Sequence, residues 1–275
     1  MTYILRIQAP DEKALIYKIT SLLQNFNITK NNEFVDFEQR LFFFRAQFTG
    51  EGSVDGLREQ LLAILPPQSE VSIEPKRSPK LILLCTKENH CLGDILLRRE
   101  SGELDVQILG VIGNHDTLRP LVERFEIPFF TILHENCTRE EHEQKLLDCI
   151  AHIGQADILV LAKYMRILSP EFVAHFRHRI LNIHHSLLPA FVGAHPYKQA
   201  HNRGAKIIGA TAHFVTDALD EGPIIAQDII KIDHNYTIKD MQQAGHDIEK
   251  IVLARALKLV CERRVFVYQN KTIIF

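Results

Sequence analysis
The sequence predicts an α/β chain in two parts: a small α+β module of β-α-β-β-α-β order, then a mostly parallel, doubly wound sheet. Three observations predict it. Short alternating or aromatic-rich stretches interleave with helical patterns as far as Ile73, whereas from Lys80 near-continuous Val/Ile/Leu runs alternate with helical stretches, as in a parallel sheet covered on both faces. A length of 275 residues suits about two domains at roughly 150 residues each. Between the two patterns lies Pro75-Lys76-Arg77-Ser78-Pro79, a polar stretch whose prolines restrict helix and sheet alike. The expected division is 1–76, a linker 77–80, and 81–275.

Tyr3 to Ile7 reads as a strand, and Pro10-Asp11 opens a helix whose apolar positions Leu15, Ile19, Leu22 and Phe26 recur at helical spacing. Phe34 to Phe37 and Leu41 to Phe48 read as two aromatic-rich strands joined by a tight turn. Val54 to Leu65 gives a second helix stopped by Pro66-Pro67, and Val71 to Ile73 a last short strand, which completes a split-βαβ module. Beyond the linker, Leu81 to Cys85, Val106 to Ile112, Phe129 to Leu133, Ile158 to Ala162 and Ile180 to Ile183 are the strands of the larger sheet. Thr237 with Asp240 caps a long helix whose buried stripe is Ile248, Ile251, Val252, Ala256 and Leu259. Arg264 to Tyr268 and Thr272 to Phe275 close the chain as a hairpin.

Apolar residues make up 46% and charged ones 24%, the composition of a folded globular chain. With 32 Lys+Arg against 34 Asp+Glu, a net charge of −2 argues against contacts to a phosphate backbone, and no nucleic acid partner is expected. No apolar run approaches the roughly 18 residues of a membrane helix and the N-terminus lacks a signal-peptide pattern, so a cytoplasmic protein without a membrane partner is expected. The scattered Cys85, Cys91, Cys137, Cys149 and Cys261 form no C-x-x-C and read as reduced thiols.

Ligands of doubly wound sheets sit beyond the carboxyl ends of the strands, and there the polar residues gather. A metal reading of the 14 histidines finds no H-E-x-x-H, and His184 and His185, adjacent at a strand end, are expected to point to opposite sides, so no metal is expected. The loop from Thr86 to Gly93 stands where such folds often hold a phosphate on a Gly-rich turn. Only Gly93 is small there; Lys87, Glu88 and His90 crowd the turn, and Glu88 brings the wrong sign. Cys91 reads as an activated thiol or, as is commoner, a partly buried inert one.

The most informative runs are Asn182 to Phe191, Gly209 to Phe214, and Asp217 to Pro223. Alternation puts Asn182 and His184 on one face and His185 on the other. An amide donor converging with an imidazole suits a developing oxyanion, with Asp220 able to support a protonated His184. Taken alone, the same residues read equally well as polar caps of strand ends.

Asn-x-His at a strand end with a later Leu-Asp-x-Gly-Pro resembles the folate-dependent formyltransferase catalytic domain over Lys80 to Phe275, with Asn182, His184 and Asp220 on its catalytic positions. Within that superfamily, Thr86 to Asp94, Val111 to His115, Ala162 to Arg166, Asn182 to Ser186 and Arg264 to Tyr268 resemble the formyltetrahydrofolate deformylases. The preceding module resembles their N-terminal ACT domain, a ferredoxin-like fold. His185, where transferase relatives carry proline, matches the hydrolase branch; a buried structural histidine is the alternative.

The resemblance implies hydrolysis of 10-formyltetrahydrofolate to formate and tetrahydrofolate, in support of one-carbon and purine metabolism. The folate is then the substrate, water the co-reactant, and no cofactor is expected. Relatives that formylate glycinamide ribonucleotide hold its phosphate on a small-residue loop where this chain has Lys87 to Cys91, so water is the expected nucleophile. Asp220 would orient and deprotonate that water while Asn182 and protonated His184 stabilise the oxyanion. Met165, Arg166, Ile167 and Leu168 match a pterin-binding loop, although without the family they read as ordinary core and loop. Val215, Thr216 and Asp217 match a second pterin-facing segment, with Thr211 and His213 supporting the cluster from a strand. Arg139 is a candidate for the glutamate tail, and His195 for an unspecified site role.

Two readings compete, a transferase acting on an amine and a non-catalytic sensor. The trio disfavours the sensor and the crowded loop disfavours the transferase. In the ACT-like module Ala14 stands where amino-acid-binding relatives have glycine. Its methyl is expected to obstruct a ligand or disallow positive φ, which argues against effector binding but not against edge-to-edge assembly into a homo-oligomer.

Overall fold
A computed structural model describes residues 1–50, 54, 56–190 and 196–275, and the chain divides into two units, Met1–Arg77 with Ile274–Phe275 and Ser78–Ile273. The first unit runs β1 (Thr2–Pro10), α1 (Leu15–Leu22), β2 (Asn27–Asp36), β3 (Leu41–Thr49), α2 (Leu57–Ile64) and β4 (Glu70–Pro75). Its strands pair antiparallel in the order β2-β3-β1-β4. Alternate residues of β1 and β3, among them Leu5, Ile7, Phe42, Phe44 and Phe48, turn to one face and bury against Ile19 of α1 and Leu61 of α2. Each such side chain stabilises the fold by about 1.5–3 kcal/mol.

Local geometry departs from the sequence pattern at two places. The helix expected from Pro10-Asp11 begins only at Leu15, because Pro10 still pairs with Leu41 and the Asp11 N–H donates to the Arg40 carbonyl at 2.8 Å. Ala14 makes the turn between them with φ 66°, so its methyl does not exclude the left-handed conformation, at a cost of about 1–2 kcal/mol. β2 starts at Asn27, well before Phe34; as an edge strand it is exposed along most of its length, and its polar residues hide the period-2 signal.

The second unit runs β5 (Lys80–Cys85), α3 (His90–Glu100), β6 (Gln107–Gly113), α4 (Arg119–Glu123), β7 (Phe129–Thr131), α5 (Arg139–Ile153), β8 (Ile158–Leu161), α6 (Pro170–His175), β9 (Ile180–His184), α7 (Pro196–Asn202), β10 (Ile207–Phe214), β11 (Ile224–Lys231) and α8 (Ile238–Cys261). A hairpin of β12 (Val265–Tyr268) and β13 (Lys271–Ile274) follows. The large sheet has the order β11-β10-β9-β8-β5-β6-β7; β9 to β7 are parallel, and β10 is antiparallel to both β9 and β11. Leu81, Leu83 and Cys85 bury on one face against Ile95 of α3 and Val252 and Leu257 of α8. Ile82 and Leu84 bury on the other against Leu146 and Ile150 of α5 and Phe172 of α6. Double coverage is why these strands read as unbroken apolar runs.

The register brings the functional loops together. Leu84 lies beside Leu161, and Leu161 beside Asn182, so β5, β8 and β9 end along one edge of the sheet. The Met165 N–H donates to Thr86 Oγ1 at 3.0 Å, tying the loop after β8 to the loop after β5. The cap expected for α8 is a full capping box between Thr237 and Asp240. No helix among the described residues is long and apolar enough to cross a membrane.

Candidate active site
A cavity of about 520 Å³ is lined by the ends of β8 and β9 and by the segment after β10. Antiparallel pairing sets His213 of β10 directly across from Asn182 of β9, and Thr211 across from His184. The His213 Nδ1–H donates to the Phe214 carbonyl at 3.0 Å, and burial holds the ring below its ordinary pKa, so its neutral Nε2 accepts from Asn182 Nδ2 at 3.2 Å. That contact assigns the orientation of the amide and leaves its second hydrogen for the cavity.

Asp220 arrives from the loop after β10. The Phe214 N–H donates to the Pro223 carbonyl at 3.0 Å, and a Cβ on Gly222 would fall 1.8 Å from the Phe214 oxygen. Only glycine lets the loop fold back this tightly, which explains the Gly-Pro after Asp220. Asp220 itself sits at φ 58°, a left-handed conformation that Asp and Asn tolerate better than most side chains. Its Oδ1 lies 3.2 Å from His184 Nδ1 and 3.9 Å from His213 Nε2. The hydrogen bond and charge of His184 hold the Asp220 carboxyl below the usual carboxylate range, against the opposing effect of burial. On the far side of the ring, His184 Nε2 is buried and has no hydrogen-bond partner among the described residues. With Asp220 accepting from Nδ1, the imidazolium form presents Nε2–H as a donor. An amide N–H, an imidazole nitrogen and a carboxylate therefore converge on one space, the arrangement that stabilises a tetrahedral oxyanion.

A family model described as formyl transferase matches residues 79–257. The formyltetrahydrofolate deformylase of Escherichia coli strain K12 is 55% identical over 273 residues, covering 98% of this chain and 97% of the relative. That of Bacillus subtilis strain 168 is 39% identical, covering 98% and 93%. Among solved structures, a formyltetrahydrofolate deformylase from Pseudomonas syringae pv. tomato superposes with a TM-score of 0.93 at 39% identity, covering 100% of this chain and 94% of its own. The chain belongs to the formyltetrahydrofolate deformylase family. The glycinamide ribonucleotide transformylase 1 of Symbiobacterium toebii is more distant, with a TM-score of 0.69 and 28% identity over 72% of this chain and 94% of its own.

In this deformylase-family chain the remaining expected site residues fall into four groups. Met165, Arg166, Ile167, Leu168, Val215, Thr216 and Asp217 all line the cavity with His213. Met165 and Ile167 are more than half exposed and stand at the rim, whereas Leu168 packs against the core formed with Ile150 of α5 and Phe172 of α6. Arg139 is absent from the lining; its Nε lies 3.4 Å from Glu143, which in turn accepts from the Ser169 N–H at the start of α6. Thr211 holds the chain after β9, donating to the Ser186 carbonyl at 2.8 Å and accepting from the Leu188 N–H at 3.0 Å. His195 lies outside the described residues.

His185 corrects an expectation. It does not point away from His184: both line the cavity, and their rings stack at 5.1 Å with 25° between planes. β9 ends at His184, so strand alternation no longer governs the next residue. Burial first, then the nearby Lys163 and His184, push its pKa down to about 4. Cys91 is fully buried and its thiol is pushed well up by burial and by Glu249, so it is inert rather than activated. Sequence reasoning did not single out Tyr197, His246 or Glu249. For Glu249 a signal existed: it lies on the buried stripe of α8 with Gly245, Val252 and Ala256, where a carboxylate is out of place.

Proposed function
We propose that the chain hydrolyses 10-formyltetrahydrofolate to formate and tetrahydrofolate. The observation that carries the reading is the group Asn182, His184 and Asp220, held by His213 and presenting a buried His184 Nε2 with no partner among the described residues to a cavity lined by Met165 to Leu168. Asp220 takes a proton from water as its oxygen adds to the formyl carbon. The oxyanion that forms accepts from the free Asn182 N–H and from His184 Nε2–H. Collapse breaks the bond from carbon to N10, the nitrogen receives the proton held by Asp220 through His184, and formic acid leaves with tetrahydrofolate, releasing its own proton to solvent as formate. N10 carries an aryl group and is weakly basic, so it needs little acid assistance.

The exposed apolar side chains of Met165 and Ile167, with Val215 nearby, suit the flat face of a pterin ring, and backbone groups of the same segments suit its polar edge. The first unit serves as an ACT-like module through which copies of the chain associate, and the reaction supplies one-carbon and purine metabolism from the cytoplasm. 10-Formyltetrahydrofolate is the substrate, and the reading calls for no resident cofactor.

The test is incubation of the purified chain with 10-formyltetrahydrofolate and no acceptor. Release of formate is the expected outcome. Turnover only when an amine acceptor is added, or binding without turnover, would replace this reading with that of a transferase or a sensor.

A further inference from the structure
Behind the wall of the same cavity lies a second polar cluster that the reaction above does not use. Glu249, midway along α8, is fully buried. Its Oε1 accepts from the Tyr197 hydroxyl at 2.8 Å, while Oε2 accepts from His90 Nε2 at 2.7 Å and lies 3.2 Å from Lys163 Nζ. Burial alone would raise this carboxyl; the His90 hydrogen bond, the Lys163 charge and the Tyr197 hydroxyl outweigh it and hold it down at about 2. The backbone is shaped to deliver these donors. Lys163 is 5% exposed and takes φ 61°, and Gly245 leaves space that a Cβ would close, at 2.0 Å from the Tyr197 hydroxyl.

Three donors within 2.7–3.2 Å of two oxygens make, in chemical terms, a site for an anion, and here the anion is supplied by the chain itself. Lys163 and Tyr197 line the cavity with Glu88 and His246. The cluster adjoins the catalytic group through His185, whose ring lies 5.1 Å from His184 and 6.2 Å from Tyr197. Glu88 faces it with a second carboxylate: its buried Oε2 lies 3.6 Å from Lys163 Nζ and His246 Nε2 and 3.8 Å from His90 Nδ1. A metal is a poor occupant of Glu88, His90 and His246, because the two imidazoles stack at 4.1 Å with 11° between planes and cannot aim in-plane lone pairs at a common ion between them.

We propose that Glu249 is a built-in anion: its carboxylate fills the donor set of Lys163, His90 and Tyr197 beside the formyl site, so that no anionic acceptor binds there and solvent is left as the nucleophile. The inference rests on the hydrolytic reading and deepens it by naming the residues that select water.

Glu249→Ala leaves the donors around a hole, whereas Glu249→Gln keeps the hole filled. Calorimetric titration and thermal unfolding with inorganic phosphate or acetate, at matched ionic strength, read out the difference. Saturable binding by Glu249→Ala is expected, at least about tenfold tighter than by the wild type or Glu249→Gln and abolished by adding Lys163→Ala. Equal binding by the wild type, or none by folded Glu249→Ala, overturns the proposal. Should that variant not fold, the wild type carries the test: phosphate is expected to leave formate release unaffected, and competitive inhibition against 10-formyltetrahydrofolate overturns the idea. Absence of formate release from the wild type would instead strike the hydrolytic reading and leave the anion titration standing.

Discussion

Two polar clusters border one cavity, each pairing a carboxylate with an imidazole, and they differ in what remains unpaired. In the Asn182, His184, Asp220 group the carboxylate holds one side of an imidazole, and the other side, Nε2, has no partner among the described residues. In the Glu249 group His90, Tyr197 and Lys163 each reach the Glu249 carboxylate, and the buried atom without a hydrogen-bond partner among the described residues is an acceptor, Glu88 Oε2, rather than a ring nitrogen. A polar network whose donors are spent on its own carboxylate is structure, and one that holds a ring nitrogen in reserve beside a cavity can do chemistry. Both hold a carboxylate against an imidazole, and connectivity sets their different uses.

The sharpest way to break this contrast is Asp220→Asn, which keeps the shape and tolerates the backbone at φ 58°. Turnover is expected to fall by about 10²–10⁴-fold in a formate-release assay, the range for loss of a general base. A fall of less than tenfold would make Asp220 no more catalytic than Glu249. Next comes Asn182→Ala, expected to lower kcat by about 100- to 1000-fold with little change in KM, because the amide acts on the oxyanion rather than on bound substrate. A rise in KM with kcat intact would move Asn182 from chemistry to binding.

Acid stability separates the clusters without a substrate. His185 is held at about 4 against an ordinary 6.5, so the unfolded chain binds a proton that the folded one refuses, and stability falls as pH drops from 6.5 towards 4. Glu249 is held at about 2 against an ordinary 4.5; its stabilisation is present above 4.5 and is lost as pH falls towards 2. Urea unfolding at stepped pH is expected to show both windows, with His185→Asn flattening the upper and Glu249→Gln the lower. The same slope in all three proteins would mean that other groups carry the acid sensitivity. The smallest effect belongs to Arg139→Ala. Arg139 lies outside the cavity lining and reaches the buried Glu143 from an exposed position, so KM for 10-formyltetrahydrofolate is expected to move by less than about threefold; a larger rise would restore Arg139 as a contact of the glutamate tail.

Much of this molecule was legible in residue order. The apolar runs of β5, β6, β8 and β9, the Thr237 cap, and the Asn182 and His184 pair on one strand face all follow from local period, and the structure has them where the period puts them. The start of α1 and the length of β2 were not legible, since pairing of Pro10 with Leu41 and an edge position override local propensity. Nor was the stacking of His185 on His184, because alternation stops where β9 stops.

By itself, then, the sequence determined most of the elements, though not β11, and which chemical groups stand at the ends of the strands, for these depend on spacing of three or four residues or fewer. Tertiary structure alone decided which groups are left unpaired. Glu249, His90, Lys163 and Tyr197 come together from four separate segments of the chain, and His184 meets Asp220 only because Gly222 lets a loop fold back on β10. Hydrogen bonds act over about 3 Å, and no pattern along the chain specifies distances between segments that far apart in sequence.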